Sequence, residues 1–167
     1  MRYFTLILLL LASDLIYQPE SPVSAQSDNL PESVTNVFKS TGLTNLYDLS
    51  SKLNPSHLTG DFDGDLKPDT AILVKQKSSG KIGIAVLHSS SNRVFFIGAG
   101  TNVGNGGDNF DWMDHWSVTL KAAARKNLGR TRAAALKGDC LFVEKSESAS
   151  ALVCWNGRRY VWYQVGD

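Results

Sequence analysis

Four carboxylates crowd into nine residues of this chain, as Asp61-Phe62-Asp63-Gly64-Asp65-Leu66-Lys67-Pro68-Asp69. Aspartates at the first, third, fifth and ninth positions of such a loop are a set of hard oxygen donors. Calcium takes six to eight oxygens, which clustered carboxylates and a backbone carbonyl supply. Alternate residues of an extended segment point the same way, so Asp61, Asp63 and Asp65 can converge. Gly64 lets the chain curl. Lys67 stands where a main-chain carbonyl would be offered, with its side chain toward water. Without a cation, four carboxylates at this spacing repel one another. The reading is therefore a Ca2+ site using Asp61, Asp63, Asp65, Lys67 and Asp69; an ion-free aspartate-rich turn is the plainer alternative.

An EF-hand is excluded by spacing, because its twelfth position, a bidentate Glu, would here be Ile72. Over residues 58–75 the loop instead resembles the calcium loop of FG-GAP and VCBS-type domains, which runs Asp-x-Asp-Gly-Asp-Gly-x-x-Asp into an apolar strand. Gly60 through Val74 follows that pattern, except that Leu66 replaces a usual Gly. If the position requires a positive φ, Leu is strained there. A single copy implies no propeller. More loosely, the chain resembles small exported bacterial proteins sharing this loop, a Gly104-Asn105-Gly106-Gly107-Asp108 segment and a Trp162-Tyr163-Gln164 tail. That likeness implies an architecture and no activity.

A second group follows the Gly-rich stretch 98–109: Asp108, Asp111, Trp112, Asp114 and His115, with Asn105, Phe110 and Trp116 among them. It suits a sugar or peptide groove, with carboxylates for hydroxyls and Trp as a platform. It also suits a metal-dependent hydrolase with an Asp base and His115 as acid. The structural reading, which we prefer, makes Phe110, Trp112 and Trp116 core anchors and the acids turn caps. His57 and His88 have no partner evident in sequence and read as packing or surface residues. Gly98-Ala99-Gly100 precedes no helix pattern, and Ser78-Ser79-Gly80-Lys81 falls in a hairpin turn; neither carries nucleotide or acyl-enzyme chemistry.

The elements that position these residues start with an export signal. Arg2 precedes the apolar run Phe4–Ala12, and Val23-Ser24-Ala25 offers a cleavage site. Residues 1–25 are expected to be removed, with the mature chain beginning near Gln26; an uncleaved anchor is the alternative, although the run is short of the roughly 20 residues a span needs. The remainder, 26–167, is one domain's worth. The full chain carries a net charge of +1, which argues neither for nucleic acid nor for an acidic membrane surface, so no nucleic-acid partner and no stable membrane anchor after cleavage are expected. In a secreted or periplasmic protein, Cys140 and Cys154 are expected to pair. Strands 140–145 and 149–154 folded about Glu147 place them opposite each other, at ~4.5–5.5 Å between Cα atoms.

The spacing of Val34, Val37 and Phe38 predicts a helix from Pro31 to Lys39, ended near Gly42. Residues 43–57 are ambiguous. Strands are predicted over 70–75, 81–88 and 93–97, with 116–120 as a fourth, and Thr70–Lys75 is apolar enough to be covered on both faces. Asn156-Gly157 signals a type I′ hairpin before the last strand. The stretch 121–137 has six basic residues and no acid; its Ala-rich pieces suit a helix, but Gly129 interrupts it. It reads as a solvated face, with docking of an anionic partner as the sharper alternative. Together these signs predict a single α+β domain, mostly antiparallel β meanders with a short N-terminal helix. The expected function is an exported calcium-binding module, non-catalytic, of binding or inhibitor type, with an unknown protein or glycan partner. The alternative is the hydrolase built on Asp108–His115.

Overall fold

A computed structural model describes residues 30–166. The signal segment 1–25 and the start at Gln26 lie outside the described residues. Helix α1 (Glu32–Ser40) begins after Pro31, whose fixed φ suits a helix start, and ends where Gly42 takes φ 71°. A short 3-10 turn at Leu43–Asn45 leads to strand β1 (Tyr47–Leu49). Strands β2 (His57–Gly60), β3 (Asp69–Gln76), β4 (Ile82–His88) and β5 (Arg93–Gly98) follow. Strand β6 (His115–Thr119) precedes helix α2 (Lys121–Ala133), and β7 (Cys140–Lys145), β8 (Ala149–Trp155) and β9 (Tyr160–Gly166) close the chain.

The strands form two antiparallel sheets. In the first, β3, β4 and β5 are a meander, and both β1 and β2 pair with β3: β1 along Val74–Gln76 and β2 along Asp69–Ile72. The second is the meander β6-β7-β8-β9. This is the α+β, mostly antiparallel architecture that the sequence predicts. Gly60 of β2 comes within close packing distance of Val118 of β6, so the sheets also touch at that corner.

Side-chain alternation sorts the strands into layers. Ala71 and Leu73 of β3, with Ile84 and Val86 of β4, face Leu141, Val143, Ala151 and Val153 of the second sheet in one central core. Their neighbours Ile72, Val74, Ala85 and Leu87 point the other way and are covered by Val34 and Phe38 of α1. On the far side of the second sheet, Ala124 and Leu128 of α2 and the following Leu136 cover Cys140, Leu152 and Cys154. The chain is thus a helix, two sheets and a helix, layered. This explains why β3 reads as an unbroken apolar run: both its faces are dry.

Gly129 interrupts the stretch after β6 as predicted: α2 is two helical pieces that meet at this glycine, whose φ of 70° and ψ of 170° are not helical. Two local expectations are refined. The last hairpin closes at the pair Trp155–Tyr160, so four residues connect its strands and the two-residue Asn156-Gly157 turn does not form. Asn156 instead uses its side-chain oxygen, accepting the N–H groups of Arg158 and Arg159 at 2.9 Å each. The ambiguous stretch supplies β1, too short to show alternation.

Cys140 and Cys154 are paired as predicted. They face each other in the β7–β8 register with Cα atoms 4.5 Å apart, and the bridge lies under α2. The bridge closes a loop of sequence separation 14. Replacing both cysteines with serine is expected to cost roughly 2–3 kcal/mol of unfolding free energy on the chain-entropy view. Urea denaturation of both proteins under non-reducing conditions measures it; an unchanged midpoint would contradict the expectation.

Candidate metal centre

The acidic loop joins β2 to β3 and is pinned at both ends. Phe62 turns inward and is fully buried in the central core, and Asp61 and Asp63 on either side are part-buried. The carboxylates of Asp61, Asp63 and Asp65 bond nearby backbone. Asp61 accepts the N–H of Gly64 at 2.8 Å on one oxygen and that of Leu66 at 3.2 Å on the other. Asp63 accepts the N–H of Asp65 at 3.1 Å, and Asp65 accepts that of Lys67 at 2.9 Å. One oxygen from each of Asp61, Asp63 and Asp65 lies within 4.8 Å of the others. The structure thus brings together three of the predicted residues.

Asp69 stands apart from that group. Its side chain is fully buried, with one oxygen accepting the N–H groups of Phe62 at 3.0 Å and Asp63 at 3.2 Å. The other accepts the N–H of Ser89 at 2.9 Å. It ties the start of the loop to the end of β4. Burial pushes its carboxyl above the usual range, and the Ser89 N–H works against that push. Lys67 is exposed, and its N–H is spent on Asp65. The Ser90 hydroxyl, which donates to Asp65, and then the Lys67 N–H hold the Asp65 carboxyl below its ordinary value.

The loop is clasped from the second sheet by Lys137-Gly138-Asp139. Asp139 donates its N–H to the carbonyl of Asp61 at 2.7 Å, and its side chain accepts the N–H of Asp61 at 3.2 Å. The other carboxylate oxygen of Asp139 accepts the N–H of Lys121 at 2.8 Å, capping the first turn of α2. Backbones approach so closely here that a side chain on Gly64 would strike the Lys137 carbonyl, and one on Gly138 would strike Asp61 and Phe62. Sequence inspection passed over Asp139; its signal was the pair Gly138-Asp139 just before β7.

His88, read from sequence as a packing or surface residue, is a packing residue, but its polar partners had no signal in sequence. It is 3 % exposed, with Nδ1 3.6 Å from an Asp63 oxygen and Nε2 2.8 Å from the Tyr160 hydroxyl. Phe95 and Trp155 pack around the ring. Burial pushes the imidazole below its ordinary range against the pull of Asp69 and Asp63. Burial likewise raises the Tyr160 phenol. The signal for burial of the imidazole lay in parity: His88 shares the inward face of β4 with Ile84 and Val86. His57 is buried as well, and its Nδ1 has no hydrogen-bond partner among the described residues.

The residues of the second predicted group have separate partners. Asp108 pairs with Lys81, Asp111 with Lys52 at 2.8 Å, and Asp114 with Lys145 at 3.0 Å. Asp114 also accepts the N–H and hydroxyl of Ser146. His115 is exposed beside Phe142. Phe110, Met113 and Trp116 are buried core residues, and Trp112 packs on Phe110. Lys52 holds the Asp111 carboxyl below its usual range. No protein-family model, no curated protein and no solved structure matches the chain.

Two outcomes follow from this geometry. Leu66 takes φ 68° and is 91 % exposed, so it is strained yet packs on almost nothing. Relief of a left-handed non-glycine residue, roughly 1–2 kcal/mol, outweighs the roughly 0.5–1 kcal/mol entropy cost of glycine. Leu66→Gly should therefore raise the melting temperature, whereas Gly138→Ala should lower it by breaking the clasp; the reverse order in thermal melts would refute the account. Separately, the Ser146 N–H and Lys145 hold the Asp114 carboxyl down at about 2. A depressed carboxyl pKa contributes stability above its unfolded value of 3.8, which is lost as pH falls through about 2. Carboxyl NMR titration should find Asp114 still ionised at pH 3, and an ordinary titration near 4 would contradict this.

Proposed function

We propose that the chain is an exported, non-catalytic binding module whose Asp61–Asp69 loop takes calcium. The observation that supports this reading is the convergence of the Asp61, Asp63 and Asp65 oxygens within 4.8 Å, on a loop held from both sheets. The donor set fits the ion. All three are carboxylates, and each oxygen that accepts an N–H keeps a further lone pair. Carboxylate and carbonyl oxygens suit calcium, and magnesium demands a tighter octahedron. Asp61, Asp63 and Asp65 would hold the ion, joined by the Lys67 carbonyl. Asp69 would serve from behind, holding the N–H groups of Phe62 and Asp63 and so fixing the backbone that carries the neighbouring carboxylates. A bound cation would supply charge neutralisation and rigidity to the loop.

The non-catalytic part of the reading draws on the second group. Asp108, Asp111 and Asp114 are each engaged by a different lysine. None of these aspartates is hydrogen-bonded to His115 among the described residues, as an acid–base pair of a hydrolase would favour.

Saturating calcium at a hundredfold excess over its dissociation constant adds about 2.7 kcal/mol of stability by mass action. For an exported module that constant is expected on the order of 10⁻⁴–10⁻³ M. Thermal melts in chelator, then with calcium or magnesium, are expected to show a calcium-specific rise that Asp63→Ala abolishes. Equal melting in chelator and saturating calcium, with no heat of binding by calorimetry, would leave the loop without its ion.

A further inference from the structure

Away from the acidic loop, three adjoining clefts of about 450, 320 and 340 Å³ share one wall, the side chain of Trp162 on β9. Clefts of roughly 300–1,000 Å³ are the size that holds a small ligand. From these clefts we infer a binding site for an acidic oligosaccharide, one whose sugar rings carry carboxylates. The inference names a partner class for the binding module proposed above and rests on that non-catalytic reading, not on calcium.

The aromatic part is built rather than incidental. Trp162 and Trp112 stand 6.1 Å apart, edge to face at 76°, and both are part-exposed. Their polar edges are already satisfied: Trp112 donates to the Gly106 carbonyl at 3.2 Å, and Trp162 donates to the Gln164 side-chain oxygen at 3.0 Å. What remains for a ligand is indole face, whose negative π-cloud suits the weakly positive C–H face of a pyranose. The Gly104–Gly106 turn holds Trp162 in place, because a Cβ on either glycine would run into its side chain. That turn packs against the Trp162 side chain on β9. A flat sugar ring needs only the exposed faces.

The charge part selects an acid. Lys145 lines the first cleft, Arg159 the second and Arg132 the third, and among the described residues no carboxylate lines any of the three. Lys145 is shared with Asp114. Arg132 and Arg159 are exposed, and neither is within ion-pair distance of a carboxylate among the described residues. Arginine offers a planar fork that matches a carboxylate with two parallel hydrogen bonds. Asn105 and Ser148 add neutral groups for hydroxyls. Successive cations around two aromatic faces match a chain of uronic acids better than a neutral glycan.

The test uses the disulfide-bonded protein in chelator, below its melting midpoint there, because polyuronates take up calcium themselves. Tetragalacturonate and neutral cellotetraose are titrated by calorimetry and tryptophan fluorescence. The site requires saturable binding of tetragalacturonate, at least about tenfold tighter than cellotetraose. The double variant Arg132→Gln/Arg159→Gln, which changes only exposed side chains, is expected to erase that preference without lowering the melting temperature. Trp112→Ala is expected to weaken both sugars. No saturable uronate binding, equal affinity for the two sugars, or indifference to the arginine variant would overturn the inference. So would arginine-dependent binding to phosphatidylglycerol vesicles without uronate binding, which would assign these cations to a lipid surface. New reducing ends from tetragalacturonate would defeat the non-catalytic reading alone, and saturable binding would still support the site.

Discussion

Two backbones, those of the β2–β3 loop and of the segment entering β7, meet at hydrogen-bonding distance, and much of the molecule is arranged around that meeting. Asp139 bonds Asp61 through both its N–H and its carboxylate, and the same carboxylate starts α2. The contact is possible only because Gly64 and Gly138 bring no side chain to it. Phe62, one residue along, is driven into the core between the sheets. A buried aromatic side chain of this kind is typically worth 3–5 kcal/mol against its loss. The acidic residues are therefore not a floppy surface strip. Their backbone is fixed by an anchor beneath, a clasp at the side and the buried Asp69 behind.

That arrangement explains how like charges are tolerated so close together. Nearly every carboxylate oxygen in the loop accepts at least one N–H or O–H group, which spreads the negative charge into backbone dipoles. The second sheet contributes too: Tyr160 bonds His88, whose other nitrogen faces Asp63. The imidazole lies between the acidic loop and the aromatic core, so the loop's charge is felt in the middle of the sandwich.

Much of the fold was legible because burial leaves strong patterns. The apolar run from Thr70 to Val74 shows that both faces of β3 are covered, and α1 announces itself through Val34 and Phe38. The cysteine pairing followed from counting outward from Glu147, which does take a positive φ of 57° at the turn. Other features leave no one-dimensional trace. In α2 the burying residues are mainly alanines, whose small size hides the helical stripe, and Gly129 splits that stripe into two short pieces. Aspartate spacing identifies a loop in which oxygens converge, but it does not distinguish a carboxylate facing outward from one, like Asp69, turned onto backbone N–H groups. The group from Asp108 to His115 allowed two readings, one site or core anchors with turn caps, because its members are neighbours in sequence; Phe110 and Trp116 are indeed buried. The partners of its aspartates come from residues 52, 81 and 145, which only the folded chain brings near.

The strand order has a kinetic side. Within each sheet most pairings join strands that follow one another along the chain, and each sheet has its own helix on its outer face. Such local contacts close quickly, since little chain entropy is lost in forming them. The bond between Asp61 and Asp139 spans 78 residues and needs both layers to be present. The acidic loop therefore has its final shape only when both layers are in place, and a partly unfolded chain in which the two sheets have parted keeps the aspartates but not the clasp that sets them.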